Sequence, residues 1–388
     1  MNVCFVSDQA FPAWGGEGVS AERFCRGLAG RRHRVTVLTS RVRRAGPPSG
    51  IRCYRFPAVV AGKRGPLAIP SSWWLETVLR REQCDVMHAN LPSYLGWRAV
   101  RLARKAGCPT VAGFHVQVGN LIPYRGRWWQ PLRRVVERWF RYFYRRVDVV
   151  VAPSRAAAEM LRRYRSGPIR VISNGITLQD VDREPVSEAV VEAFRRRWNL
   201  PAGPVVLYAG RLSPEKNVRF LLRVARALRD RGIDVPLLIV GRGCLEGVLR
   251  RGVRRLGLQG RVVFAGYLEH EDLGCAYAAS RIFLLPSRCE LQGIAVLEAM
   301  AAGCALLVGD DPDSAARELV ENEQNGYRVS LEDPTDAAEK IGYLTSHEEV
   351  LQRFRGQSRR LIQEHALTHS IDELEALYRE VRQGRIRG

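Results

Sequence analysis

The stretch Ser287-Arg288-Cys289-Glu290-Leu291-Gln292-Gly293-Ile294-Ala295-Val296-Leu297-Glu298-Ala299-Met300-Ala301-Ala302-Gly303 lies between two short apolar runs. Ile282-Phe283-Leu284-Leu285 precedes it, closed by Pro286, and Ala305-Leu306-Leu307-Val308 follows. Runs of that length read as buried strands, so the segment reads strand, loop, helix, strand. Glu290 then falls on the loop leaving the first strand and Gly293 near the helix start. Glu298 lies about a turn and a half inside, and Gly303 marks the C-terminal stop. Free backbone N–H groups at a helix start favour an anion, which places a phosphate there. A carboxylate on the loop and another in the first turns suit sugar hydroxyls on either side of that phosphate. An amphipathic helix with one exposed Glu, beside an ordinary loop Glu, has the same spacing, so other segments must decide.

Outward from this segment the same alternation recurs. Val3-Cys4-Phe5-Val6 reads as a first strand, followed by a loop with Gly15-Gly16 and a helix beginning near Ser20. Further strands read at 35–38, 85–89, 110–115, 147–152, 205–209, 237–240 and 262–265, and 169–176 closes the first half. Residues 41–70 read as a loop rich in Gly, Pro and Arg, and helices are expected at 132–146, 336–344 and 371–381. Repeated strand and helix units imply parallel sheets. The 388 residues, 46% of them hydrophobic, suffice for two cores. We expect a first domain at 1–176, a connecting segment with a short helix at 177–203, a second domain at 204–368 and a final helix at 369–388.

Several loops carry candidate chemistry. A Gly-Gly pair between strand and helix lets backbone approach a ligand, and a plain tight turn has the same sequence. Arg211 and Lys216, five residues apart after the strand at 205–209, suit a diphosphate: one offers a planar fork, the other a point charge. His88 and His115 end strands, where parallel sheets carry function; His88 reads as structural. In the helix at 132–146, Leu132, Val135, Val136, Trp139, Phe140, Phe143 and Val147 share one face, while Arg134, Arg138, Arg141 and Arg145 gather opposite. The bland reading packs the apolar face on a sheet and solvates the arginines. The sharper one adds Trp128, Trp129, Tyr142 and Tyr144 beside the arginines, a composition suited to the headgroup layer of an anionic membrane.

The net charge of +21 bears on partners. Lysine occurs only at Lys63, Lys105, Lys216 and Lys340, so arginine supplies nearly all the positive charge. Such a bias is either compositional or directed at acidic lipid, anionic substrate or nucleic acid. No helix-turn-helix, RNP, KH or zinc-finger signature accompanies it, so nucleic acid is not an expected partner. The nine cysteines are scattered without C-x-x-C, which fits reduced thiols in a cytoplasmic protein. The N-terminus has no basic region and meets Asp8 early, unlike a signal peptide, and no run reaches the roughly 18 apolar residues of a membrane span. Asp311-Pro312-Asp313 reads as a polar turn, not a metal motif.

Glu290 and Glu298, seven residues between them, followed by Ala299-Met300-Ala301-Ala302-Gly303, resemble the E-x7-E signature of the family 4 retaining glycosyltransferases. Gly210-Arg211-Leu212-Ser213-Pro214-Glu215-Lys216-Asn217 is similar to that family's G-R-L-x-x-x-K-G segment, with Asn217 in place of its Gly. The resemblance covers essentially the whole chain. It implies an α/β fold of two Rossmann-like parallel-sheet domains facing across a cleft (GT-B architecture). It implies Glu290 against the transferred sugar, Glu298 on the ribose, Arg211 and Lys216 on the leaving diphosphate, and Gly15 and Gly16 lining the donor phosphates and acceptor. It also implies Gly241 near the phosphates, the Tyr267-Leu268 backbone near the base, and Gly293 and Ile294 at the helix start. Phe114-His115-Val116-Gln117 resembles the T-F-H-x-Q segment of the lipid-glycosylating branch, implying His115 on the transferred sugar and Gln117 and Asn120 toward the acceptor. That branch continues P-E-N where this chain has Val118-Gly119-Asn120, which leaves the acceptor open. The expected reaction is hexose transfer from a UDP- or GDP-sugar with retention. Neither metal nor cofactor is expected, since the nucleotide sugar is a substrate. A lipid acceptor is expected, on a chain peripheral to the inner face of the plasma membrane. A soluble or polysaccharide acceptor, or an epimerase or hydrolase of the same fold, stands as the alternative, and a nucleic-acid-binding protein ranks below both.

Overall fold

A computed structural model of the chain describes residues 1–11, 13, 15–41, 49–60, 65–122, 129–177 and 186–386. The chain divides into two compact units, Met1–Gly175 with Leu367–Gly388, and Ile176–Ala366.

The first unit holds strands β1 (Asn2–Val6), β2 (Arg34–Ser40), β3 (Ile51–Phe56), β4 (Ala58–Val60), β5 (Pro66–Ala68), β6 (Val86–Ala89), β7 (Thr110–Gly113), β8 (Val149–Ala152) and β9 (Ile169–Val171). Seven form one sheet in the order β3-β2-β1-β6-β7-β8-β9, every neighbouring pair parallel. The strand order reverses between β1 and β6, the position where open parallel sheets take ligands beyond their strand ends. β1, β6, β7 and β8 are buried along nearly their whole length, as expected of strands covered on both faces. One face packs Phe5, Val37, Val111 and Val151 against Phe24, Cys25 and Leu28 of the helix Gly15–Gly30, and against Ile371, Leu374 and Tyr378 of the helix Leu367–Arg382. His88 on β6 joins this core and shares a 2.6 Å hydrogen bond through Nδ1 with the Tyr378 hydroxyl.

Residues 41–70 are not all loop: β3 pairs with β2, and β4 with β5 forms an antiparallel hairpin. β3 reads poorly in sequence because Arg52 interrupts the apolar pattern. Arg52 and Tyr54 instead donate to buried Glu82, at 2.8 and 2.7 Å. The helix Gln130–Tyr144 also departs from its expected packing. Phe140 and Phe143 are buried, but Leu132 and Val135 are exposed (46% and 61%), so the apolar face is covered only in its C-terminal half. Tyr144, expected beside the arginines, lies in the core with its hydroxyl donating to the Gly113 carbonyl at 3.2 Å.

The second unit holds β10 (Val206–Ala209), β11 (Leu237–Val240), β12 (Val262–Gly266), β13 (Ile282–Leu285), β14 (Ala305–Gly309) and β15 (Gly326–Val329). They form a parallel sheet in the order β12-β11-β10-β13-β14-β15, reversing between β10 and β13. β15, a short edge strand of mixed polarity, escapes the sequence reading. Within the expected connecting segment, the helix Glu188–Arg197 packs on the helix His270–Ala279: buried Arg195 donates to the Ala279 carbonyl at 2.6 Å and Arg197 pairs with Asp272 at 3.1 Å. No disulfide joins any of the nine cysteines, and Cys244 alone among them is exposed.

Candidate active site

The strand, loop and helix around Glu290 are present as β13, residues 286–293 and the helix Ile294–Ala301. Gly293 caps that helix at φ 97°, left-handed backbone that favours glycine, and an added Cβ would sit 3.0 Å from the Ala316 Cβ. The capping residue therefore brings no side chain across the exposed N–H groups. Gly303 ends the helix in the same left-handed region, φ 70°. Glu290 is held through its backbone, its carbonyl accepting from the Ala315 N–H at 2.9 Å. Its carboxylate Oε1 is ion-paired with Lys216 Nζ. Both side chains are largely shielded, at 12% and 17% exposure, so the pair is a fixed part of the site rather than a surface contact.

Lys216 ends a one-turn helix Pro214–Lys216. Asn217 closes that turn at φ 50°, and asparagine tolerates left-handed backbone. That is the physical reason Asn217 can stand where the G-R-L-x-x-x-K-G pattern has Gly. Arg211 reaches out from the same loop, half exposed, and is steered by Glu215 at 3.1 Å. Ser213 donates to that same Glu215 oxygen at 2.6 Å, and the Glu215 carbonyl accepts from the Arg288 N–H at 3.1 Å, joining the loops after β10 and β13. Glu298, on the first turns of the helix, accepts from the Tyr277 hydroxyl at 3.0 Å, which fixes its carboxylate. The end of β11 approaches the end of β10 so closely that a Cβ on Gly241, itself at φ 128°, would lie 2.0 Å from the Gly210 carbonyl oxygen. Tyr267 follows β12 and is exposed; Leu268 is buried. Glu290, Lys216, Arg211, Gly241 and Gly293 thus lie in the loops that follow the C-terminal ends of the central strands, and Glu298 in the helix that opens from one of those loops. Asp311 closes a turn, accepting from the Asp313 N–H at 3.0 Å and pairing with Arg288 at 3.5 Å.

In the first unit, Gly15 and Gly16 are exposed and open the helix Gly15–Gly30 just beyond β1. Glu17 follows them, its Oε1 accepting from Ser7 Oγ at 2.7 Å and from Asn90 Nδ2 at 2.8 Å. His115 lies past β7 with its ring over Gly113: a Cβ there would meet His115 Nε2 at 2.7 Å and Asn90 Oδ1 at 2.9 Å. Burial holds the His115 imidazole down at about 4, and the His88 imidazole at about 3 with a further contribution from His115. Both rings are therefore neutral near pH 7. Gln117 is buried and Asn120 Oδ1 accepts from the Gln117 N–H at 2.9 Å, so these two side chains brace the turn after β7.

Comparison with known proteins brings the two units together. Residues 14–180 match the model of Glycosyltransferase Family 4, and residues 190–361 that of Glycosyl transferases group 1. A GDP-mannose-dependent alpha-mannosyltransferase of Mycolicibacterium smegmatis is 31% identical over 320 residues, 80% of each chain. The chain belongs to the family 4 glycosyltransferases. An alpha-monoglucosyldiacylglycerol synthase of Streptococcus pneumoniae is 24% identical, over 80% of this chain and 72% of that one. Sucrose-phosphate synthase from Thermosynechococcus elongatus superposes with a TM-score of 0.80 at 21% identity, covering 98% and 99% of the two chains. That likeness gives the GT-B fold, two Rossmann-like parallel-sheet domains.

Within this family 4 glycosyltransferase, several residues of the site were not singled out by sequence. Glu215 and Tyr277 orient Arg211 and Glu298 but carry no motif of their own. Glu215, four residues after Arg211, had the only local signal, the ion-pair spacing. Asn90 and Ser7 come from separate strand ends, and only the fold brings them to Glu17. The surface of the helix Gln130–Tyr144 extends further than expected. Arg134, Arg138, Arg141 and Arg145 are exposed and make no ion pair among the described residues. Trp129 and Tyr142 are partly exposed, and Trp128 lies outside the described residues. Trp139 packs on Trp97 of the helix Tyr94–Lys105, whose Arg98 donates to Ser72, beside Trp73, exposed at 77%. Leu67 and Ile69, at the hairpin and just after it, are exposed as well.

Proposed function

We propose that the chain transfers a hexose from a nucleoside-diphosphate sugar to a hydroxyl of a membrane lipid, with retention of configuration and without a metal ion. The observation that carries the transfer reading is the shielded Lys216–Glu290 pair beside the open N-terminus of the helix Ile294–Ala301. The second unit holds the donor. Glu298, fixed by Tyr277, takes the ribose hydroxyls; Gly241 and the Tyr267-Leu268 backbone accommodate the nucleoside. Arg211, Lys216 and the helix start stabilise the charge that grows on the leaving diphosphate. Glu290 contacts the transferred sugar, and His115 serves as a neutral hydrogen-bonding ring for a sugar hydroxyl. Gly15 and Gly16 let backbone approach the reacting groups, and the turn braced by Gln117 and Asn120 faces the acceptor. In the reaction, the bond between the anomeric carbon and the phosphate oxygen breaks and a bond to the acceptor oxygen forms on the same face. The acceptor's proton passes to the departing phosphate oxygen. The mannosyltransferase relative is named for GDP-mannose and the synthase relative for a glucosyldiacylglycerol, which supports hexose transfer and leaves GDP and UDP both open.

The lipid acceptor rests on the first unit. Exposed Trp73, Trp129, Leu132, Val135 and Tyr142 together with four arginines that make no ion pair among the described residues suit a one-sided contact with the inner, anionic face of the plasma membrane. No helix among the described residues is long and apolar enough to cross a membrane. The test is turnover of a panel of UDP- and GDP-sugars, with and without vesicles containing diacylglycerol, phosphatidylinositol or polyprenyl phosphate. Glycolipid with retained anomeric configuration, formed with vesicles and in the presence of a chelator, is the expected result. Donor consumed equally without vesicles would replace the lipid with a soluble acceptor, or the transfer with epimerisation or hydrolysis.

A further inference from the structure

Glu17 and Asp8 are the two carboxylates among the described residues that carry a buried oxygen without a hydrogen-bond partner, and of the two it is Glu17 that sits in the glycine turn. It is the third residue of the helix Gly15–Gly30, directly after the Gly15–Gly16 pair. Its Oε1 takes two donors, Ser7 Oγ from the end of β1 and Asn90 Nδ2 from the end of β6. Asn90 Nδ2 also lies 3.3 Å from the Glu17 carbonyl oxygen, so one amide grips both side chain and backbone of the helix start. Its Oε2 is buried without a partner, and so is Asn90 Oδ1. Among the described residues no cation pairs with Glu17. The titratable groups around it are Asp8 after β1, Cys25 and the Glu22–Arg26 ion pair on the same helix, in which the arginine is matched by its own carboxylate, and neutral His115 beyond Asn90. An ionised carboxylate with a buried, unpartnered oxygen and no counter-charge is costly, whereas a neutral acid in the same place is not.

We propose that Glu17 is a positioning residue of the transfer reaction: as a neutral acid it ties the Gly15–Gly16 turn to the ends of β1 and β6, where the strand order reverses. It rests on the reading of the Gly15–Gly16 turn as part of the transfer site. The same Asn90 borders His115, since both approach the space above Gly113 within 2.9 Å of one point. Glu17 therefore seats two groups of that site at once. Its protonation agrees with this: burial pushes the Glu17 carboxyl up to about 7, Asp8 adds to the rise, and the Ser7 and Asn90 hydrogen bonds oppose it. As pH rises through that value a charge enters the junction, and the turn loses its fixed seat.

Two measurements test this. The first is the melting temperature of wild type and Glu17→Gln from pH 5 to pH 8, which needs no substrate. The folded chain keeps a proton that the unfolded chain releases near 4.5, so the contribution of Glu17 to wild-type stability falls as pH rises from there to about 7, a loss that Glu17→Gln lacks. The gap between them is expected to widen up to about pH 7 and then hold. The second is the pH profile of turnover with the donor and acceptor that the panel identifies. Wild-type turnover is expected to fall above about pH 7, Glu17→Gln to lose that fall, and Ser7→Ala to move it to higher pH. Glu17→Ala is expected to lower turnover about tenfold or more at every pH, with Glu17→Gln rescuing it at pH 6. A constant melting gap, an unchanged fall in Glu17→Gln, or a folded Glu17→Gln with no turnover at any pH would each overturn the proposal. No turnover by wild type with any donor would remove the transfer reading, and the positioning role with it, whatever the melting curves show.

Discussion

Glu290 and Lys216 lie 74 residues apart in sequence, yet each is the other's partner in the site. Removing either side chain takes a shielded counter-charge from the other, so each single change should cost more than a surface ion pair would. Lys216→Met is expected to lower transfer about 100-fold or more while the protein stays folded, read from turnover at saturating donor together with a melting curve. The buried histidines make a second prediction at this scale. His88 and His115 are held at about 3 and about 4 against an ordinary value of 6.5. The unfolded chain takes up those protons near 6.5 and the folded chain does not, so the stability they contribute is full above pH 6.5 and is lost as pH falls toward 4. In His88→Phe the decline of unfolding free energy between pH 6 and pH 4.5 should be shallower by about 1.4 kcal/mol per pH unit, measured by denaturant titration. The places of Glu290, Glu298, Arg211 and Lys216 in the loops and helix that follow β13 and β10 were legible because a motif fixed their spacing. Residues that the fold assembles from separate strand ends, as with Ser7, Asn90 and Glu17, were not legible, because no local period records a contact across 73 residues.

At the scale of the element, glycine at two strand and helix ends decides how close the site's backbones come. Gly241→Ala would force a Cβ to 2.0 Å from the Gly210 oxygen in a backbone conformation that alanine resists. The expected loss is about 2–4 kcal/mol of stability, with weaker nucleotide binding, read by denaturation and calorimetry. Elements with a clear hydrophobic run, β1, β6, β8, β11, β13 and β14, were readable because a strand buried on both faces leaves an unbroken apolar signature. β3 and β15 were not, since an edge strand carries Arg52 or Arg328 without penalty. The helix Gln130–Tyr144 was readable as a helix but not in its packing: helical spacing marks Leu132 and Val135 as apolar without saying that they stay exposed.

At the scale of the whole molecule, the charge of +21 is the property that most needs a partner. If the exposed arginines of the helix Gln130–Tyr144 meet an anionic surface, each contributes about 1 kcal/mol at low salt. Replacing Arg134, Arg138, Arg141 and Arg145 by Gln should then lower binding to phosphatidylglycerol vesicles by about 100-fold or more, measured by co-sedimentation, and leave binding to neutral vesicles unchanged. Trp129→Ala should weaken binding to both kinds of vesicle, because it removes apolar contact rather than charge. Composition made the charge legible; helical spacing gathered these four arginines on one face, and the fold leaves them exposed on the helix that exposed Trp129 precedes. The most direct test of the central claim, that the ends of β10 and β13 form the transfer centre, is the single-turnover rate of Glu290→Gln beside its affinity for the nucleoside diphosphate. The account predicts a rate at least 100-fold below wild type with nucleotide affinity changed by less than about tenfold; transfer within a few-fold of wild type would contradict it.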